Sequence, residues 1–102
     1  MSTIVLSLSF RIHAEERLEV INVFSVLQEA VLAGNKGVLV YRFSVDLEDE
    51  NLIHAYEEWD CVESLKAHGQ KEYMAPLRAI RKEKGVEVVR SRRWRAEDLG
   101  EF

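Results

Sequence analysis

The sequence predicts a single α+β domain with its elements in the order β-α-β-β-α-β, and three observations carry that prediction. Apolar residues alternate with period two at the start of the chain. They recur at three- and four-residue steps over the next twenty residues, then return to strand-like stretches divided by a polar turn. The chain is 102 residues long, enough for one domain, and its 47% hydrophobic and 31% charged residues are those of a folded protein. A domain this small buries roughly 65% of the surface its unfolded chain exposes, so covering a further face by pairing would help it.

Residues 4–12 form the first strand, with Ile4, Leu6, Leu8, Phe10 and Ile12 on one side and Val5, Ser7, Ser9 and Arg11 on the other. From Ala14 to Ala33 the stripe Leu18, Ile21, Phe24, Leu27 and Val31 predicts an amphipathic helix, with Glu15, Glu16 and Glu19 suiting the dipole at its start. Gly34-Asn35 supplies a left-handed stop. Gly37 to Val45 is a second strand, Asp46 to Asn51 a polar turn, and Leu52 to Trp59 a third strand completing a hairpin. Asp60, with Glu63 three residues on, reads as a capping box for a helix whose stripe begins at Val62 and Leu65. After a break near Gly69, a second helical segment carries Tyr73, Met74, Leu77 and Ile80, with Pro76 in its first turn. Gly85 ends that segment, Val86 to Arg95 is the last strand, and residues 96–102 form a tail.

This order is the split βαβ arrangement of ferredoxin-like domains, a four-stranded antiparallel sheet with its helices on one face. The apolar side of the first strand should meet the helices. The opposite sheet face, expected to carry His54, Tyr56, Val5, Val38 and Val40, has no helix to cover it and asks for a partner, most simply a second copy of the chain.

The net charge of −4 conceals a strong asymmetry. Residues 1–65 carry 4 basic and 12 acidic groups, whereas residues 66–95 carry 10 basic and 3 acidic. Such polarity can guide one protomer onto another or draw an anionic ligand, although two oppositely charged solvated faces explain it equally well. One cysteine, Cys61, allows no internal disulfide, and one thiol with three scattered histidines makes no metal-binding motif. The first strand lacks the basic lead of a signal peptide, and no apolar run approaches the roughly 20 residues that span a bilayer. The expectation is a cytoplasmic protein with no membrane partner.

The run Tyr56-Glu57-Glu58-Trp59-Asp60-Cys61-Val62-Glu63-Ser64-Leu65-Lys66-Ala67-His68 resembles the signature of the antibiotic-biosynthesis-monooxygenase family. There a strand ends in an acidic residue and a tryptophan, and a short helix ending in Leu-x-x-His follows. Gly37-Val38-Leu39-Val40-Tyr41 matches the glycine-containing entry to the second strand, and the likeness in element order covers nearly the whole chain. The resemblance implies a dimeric α+β barrel, two sheets face to face, with a pocket in each subunit between sheet and helices. It also implies oxidation of phenols or quinols by O2 with no metal, flavin or haem as cofactor. Haem degradation, known from another branch, is disfavoured: no histidine follows His68 and the first strand holds no asparagine. The chain also lacks the second histidine or Ser/Thr that members often carry shortly after the first, reading Gly69-Gln70-Lys71-Glu72-Tyr73.

Three residues stand out as catalytic candidates: His68, Trp59 and Glu57. Trp59 and Glu57 share one strand face with Ala55, where an indole could stack on a flat ligand and a carboxylate could take a phenolic proton. His68 lies on the stripe of Leu65, and its unperturbed pKa of about 6.5 suits proton transfer near neutral pH. Each has a plainer reading: core packing for Trp59, an ion pair with an arginine for Glu57, a helix-end bond for His68. Tyr41, Tyr56, Tyr73 and Arg42 are further hydrogen-bond donors for a quinone oxygen. A Cys61 nucleophile paired with His68 fails on distance, since seven helical residues rise roughly 10 Å. The basic run Arg90 to Arg95 does not make a nucleic-acid site, because the third strand is acidic where RNA would lie. The expected activity is a cofactor-independent monooxygenase acting on a small hydroxylated aromatic; the alternative is a non-catalytic, dimeric ligand-binding domain on the same scaffold.

Overall fold

A computed structural model describes residues 2–102. Strands β1 (Thr3–Arg11), β2 (Val38–Val45), β3 (Leu52–Trp59) and β4 (Glu87–Ala96) form one antiparallel sheet in the order β2-β3-β1-β4. Helices α1 (Arg17–Gly34), α2 (Val62–Gly69) and α3 (Ala75–Glu83) cross it, and short 3₁₀ turns at Ala14–Glu16 and Glu72–Met74 lead into α1 and α3. The expected ferredoxin-like α+β architecture is the one found, with the second helix split in two around Gly69.

The core lies between the helices and the sheet face that carries Ile4, Leu6 and Phe10 of β1 and Ile53, Ala55 and Trp59 of β3. Phe24 of α1 packs edge-on against Phe10 at 5.1 Å and stacks on Phe43 of β2 at 4.6 Å. The buried stripe of α1 is Val20, Phe24, Leu27 and Val31, a 4-3-4 spacing. Leu18, expected on that stripe, is 81% exposed because two residues before Val20 is the far side of a helix.

Two boundaries also differ from expectation. Asn35 after α1 is extended, with φ −139° and ψ 133°, so no left-handed residue ends that helix; instead the Asn35 side chain donates to the carbonyl of Val31 at 2.8 Å. The N-cap of α2 falls on Cys61 rather than Asp60, without a side-chain capping bond; the Asp60 carboxyl is held below its usual range mainly by the Ser64 hydroxyl. Gly85 does take the left-handed conformation, φ +63°, in the turn from α3 to β4.

The helix-free face of the sheet is more polar than the sequence suggests. Val38 pairs opposite Trp59 and packs on the core instead, because a bulge at Leu39 shifts the register of β2. Val5, Val40, Tyr56 and Trp94 share the open face with Arg42, Glu58, Arg90 and Arg92, and the Arg92 guanidinium lies 5.1 Å from the Trp94 ring centre. Ser9, buried on this face near the end of β1, bonds to Nδ1 of His54 at 2.8 Å, and His54 Nε2 bonds to Asp46 at 2.8 Å. Asp46 also accepts the N–H groups of Glu48 and Asp49 at 3.0 and 3.1 Å, which closes the β2–β3 turn.

Gly37 is the glycine with least room. It is buried where β2 begins, its carbonyl accepts the N–H of Asp60 at 2.9 Å, and a Cβ there would lie 2.6 Å from the Asp60 carboxylate and the Ser64 Cβ. Gly37→Ala should therefore cost about 1–3 kcal/mol of stability through overpacking. Chemical denaturation of the two proteins checks this; equal midpoints would show that the α2 entrance yields freely.

Candidate functional site

A cleft of about 190 Å³ opens between the helix side of the sheet and the α2–α3 pair. Its walls are largely apolar, from Leu6, Leu8, Leu65, Met74 and Leu77, and its polar groups are Tyr41, Glu57, His68 and Arg81. A second hollow of about 170 Å³ between α1 and β2 contains no titratable side chain. Its Gln28 is already committed to the Phe43 N–H at 2.7 Å. Of these two, the first holds the groups that can move a proton.

Alternation along β3 puts Ala55, Glu57 and Trp59 on the helix face, and the register places Tyr41 of β2 directly beside Glu57. Glu57 is 4% exposed, and its Oε1 accepts the indole N–H of Trp59 at 2.9 Å. Burial raises the Glu57 pKa; the Trp59 bond and the charge of Arg93 oppose that rise without cancelling it. Oε2 has no hydrogen-bond partner among the described residues. Burial and the neighbouring Glu57 charge likewise push the Tyr41 phenol up, so it remains a neutral O–H group.

His68 closes α2 and is 5% exposed. Its ring lies over Trp59, centroids 4.8 Å apart and planes tilted by 34°, and meets Tyr41 edge-on at 5.5 Å. Tyr73, from the 3₁₀ turn after α2, holds the ring from the other side through a 2.6 Å contact between its hydroxyl and Nδ1. The same hydroxyl accepts from Asn35 Nδ2 at 2.7 Å. Both amide hydrogens of Asn35 are then committed, one to Val31 and one to Tyr73. The Tyr73 proton is left to point at His68 Nδ1, which fixes the Nε2–H tautomer. Burial, with the Lys71 ammonium adding to it, lowers the His68 pKa to about 4.

The three candidates of the sequence thus lie together, in contact through Trp59. Their surroundings differ from expectation. Trp59 is wholly enclosed beneath His68 and presents no free face for a ligand to stack on. His68 lies far from its unperturbed pKa and is neutral at pH 7. Of the further donors, Tyr41 and Tyr73 reach the site, while Arg42 and Tyr56 fall on the opposite sheet face, Tyr56 bonded to Glu58. In the sequence Asn35 stands out only as part of a helix stop; nothing in its local sequence marks a bond to a residue 38 positions away. Among the described residues no three His, Cys, Asp or Glu side chains converge to hold a metal ion.

Fold and cleft together define an α+β domain with a small apolar pocket containing a few proton-handling groups. The sequence profile of the antibiotic biosynthesis monooxygenase family matches residues 3–80. The chain belongs to that family. Among solved structures, a Deinococcus radiodurans protein named a "putative antibiotic biosynthesis monooxygenase" is similar at 17% identity and TM-score 0.86, covering 97% of each chain. A protein of the same name from Caulobacter crescentus CB15 is 22% identical, with TM-score 0.86 and coverage of 95% of this chain and 92% of its own. A conserved Bacteroides thetaiotaomicron protein of unknown function, described as a "possible oxidoreductase", is 21% identical, with TM-score 0.84 over 93% of this chain and 98% of its own. At these identities the likeness speaks to fold. No curated protein matches the chain.

The His68 pKa has a consequence for stability. Between about 4 and the unfolded value of 6.5 the unfolded chain binds a proton that the native ring lacks. Stability should therefore fall as pH drops from about 6.5 to about 4, and level off below that as far as His68 is concerned. The cost is on the order of 3 kcal/mol. Imidazole ¹⁵N chemical shifts against pH check this, with neutral Nε2–H signals expected down to about pH 4; a midpoint near 6.5 would contradict the burial of the ring.

Proposed function

We propose that the cleft oxidises a small hydroxylated aromatic with O2 and without a cofactor, and that Glu57, rather than His68, takes the substrate proton. The observation that supports this most is Glu57 itself: a carboxylate buried in an apolar cleft, its pKa raised, with one oxygen held by Trp59 and the other unengaged. A general base works best when its pKa approaches the working pH, and burial moves Glu57 that way. His68, neutral and with Nδ1 engaged by Tyr73, offers Nε2–H as a donor to the substrate oxygen. Trp59 positions both groups.

The reaction balances on substrate and O2 alone. Glu57 accepts the phenolic proton, and the phenolate passes one electron to O2. The resulting radicals join at the para carbon, and Glu57 returns the proton to the peroxide. Loss of the para C–H proton with cleavage of the O–O bond gives a quinone and water. A phenol with a free para position thus consumes one O2 per quinone formed. Family membership and the monooxygenase names of similar structures favour this reading.

Glu57→Gln should lower O2 uptake with 1-naphthol, whose para position is free, by roughly 10²–10⁴-fold. It should leave the melting temperature equal or higher, since the amide oxygen still accepts from Trp59 and a buried charge is removed. Unchanged turnover would take Glu57 out of the mechanism. Naphthol binding with no uptake by the native protein would make the chain a ligand-binding domain.

We also propose that two copies pair through the helix-free sheet face, where Val5, Val40, Tyr56 and Trp94 lie uncovered. Light scattering at micromolar concentration should give about twice the 11.8 kDa chain mass. A mass of one chain would remove the pairing and leave the cleft chemistry untouched.

A further inference from the structure

The rim of the cleft holds positive charge that the described residues do not neutralise. Met74 at the entry to α3, and Leu77 and Arg81 within it, are three and four residues apart, and all three line the cleft. The last member of that stripe, where an apolar residue would complete the wall over Val88, is a guanidinium. Neighbouring cations have other work: Arg78 donates to the Gly69 carbonyl at 3.4 Å, and Lys84 pairs with Glu16 and Glu19 at 3.5 and 3.4 Å. Arg81 has no carboxylate partner among the described residues.

A second guanidinium adds positive charge on the same sheet face, outside the residues that line the cleft. Arg93 of β4 pairs across from Leu6, and Leu6 pairs across from Glu57, so the three lie in one row on the helix face of the sheet. Arg93 is exposed, because β4 is an edge strand there, and it too lacks an ion-pair partner among the described residues. Its charge is felt at the Glu57 carboxyl.

A guanidinium fork matches a carboxylate in shape and charge, and a charge-assisted bond of that kind is among the stronger polar contacts. Deeper in the cleft an anion would meet Glu57 and apolar walls, which disfavour it. An anionic group is therefore welcome only at the rim. We infer that the cleft takes an amphipathic aromatic acid, with a hydroxylated ring between the apolar walls and a carboxylate at the mouth on Arg81, assisted by Arg93. The hydroxyl half of this inference rests on the oxidation proposed above; the carboxylate half rests on the two arginines alone.

Isothermal titration with 5-hydroxy-2-naphthoate and with 5-hydroxy-2-naphthamide, both of which keep a free para C–H, separates the two halves. The native protein should bind the carboxylate about tenfold more tightly than the amide at low salt, the scale of one charge-assisted bond. High salt should narrow the gap. Arg81→Gln should bring the affinities together through loss on the carboxylate side, and Arg81→Lys should recover part of it. Thermal melts of each variant check that folding is kept. Equal affinities in the native protein, failure to bind the naphthoate at all, or a preference that survives joint replacement of Arg81 and Arg93 by Gln would overturn the inference. Selective binding without O2 uptake would remove the oxidation and leave the carboxylate recognition. Uptake with neutral naphthols alone would do the reverse.

Discussion

A carboxylate buried between a sheet and its helices is costly, and the way this chain accommodates Glu57 organises much of what surrounds it. The indole N–H of Trp59, two residues along the same strand face, satisfies one carboxylate oxygen at 2.9 Å. To do so Trp59 must itself be enclosed, and its ring becomes the floor on which His68 lies at 4.8 Å. His68 is then fixed by Tyr73, and Tyr73 by Asn35 at the end of α1. One buried charge thus draws together the end of β3, the end of α2, the turn before α3 and the end of α1. Of these pieces, β3 gives Glu57, α2 gives His68 and the turn gives Met74 to the cleft lining.

The three titratable groups facing that end are all displaced toward their uncharged forms, chiefly by burial. Glu57 and Tyr41 are raised and His68 is lowered. A cleft of this kind resists charge and tolerates proton movement only where donor and acceptor are nearly matched. That condition suits a carboxylic acid raised toward neutrality acting on a phenol whose charge passes on to O2. It suits a histidinium poorly, which is why the imidazole is better placed as a neutral donor than as the base its ordinary pKa suggests.

The pattern of β-α-β-β-α-β was legible because each element carries its own period. Ile4 to Phe10 alternate cleanly, Leu52 to Trp59 follow a polar turn as a run of strand length, and Gly85 marks a turn that takes a positive φ. The proximity of Glu57, Trp59 and His68 was legible too, since two lie on one strand face and the third follows about two turns later. Three kinds of information were not local. The bulge at Leu39 turns Val38 inward, and no residue there announces it. Whether Trp59 faces a ligand or is sealed under an imidazole depends on how far α2 lies down on the sheet. The bond from Asn35 to Tyr73 joins residues 38 apart and becomes visible only once α1 and the 3₁₀ turn are neighbours.

The break between α2 and α3 explains how one short chain makes both a sealed floor and an open mouth. A continuous helix from Val62 to Glu83 would carry one straight stripe along the sheet and close the cleft throughout its length. Instead α2 stops at Gly69, having set His68 down on Trp59, and the chain turns through Glu72–Met74 before α3 restarts with Pro76 in its first turn. The interruption supplies Tyr73 as a side prop for the imidazole. It also re-aims the second stripe so that Leu77 covers the apolar wall while Arg81 reaches the rim. A proline at the start of α3 is compatible with this geometry, whereas in the middle of an unbroken helix it would remove a backbone bond and clash with the preceding turn. The helix break therefore allows a neutral interior and a cationic entrance to be built from consecutive segments of one chain.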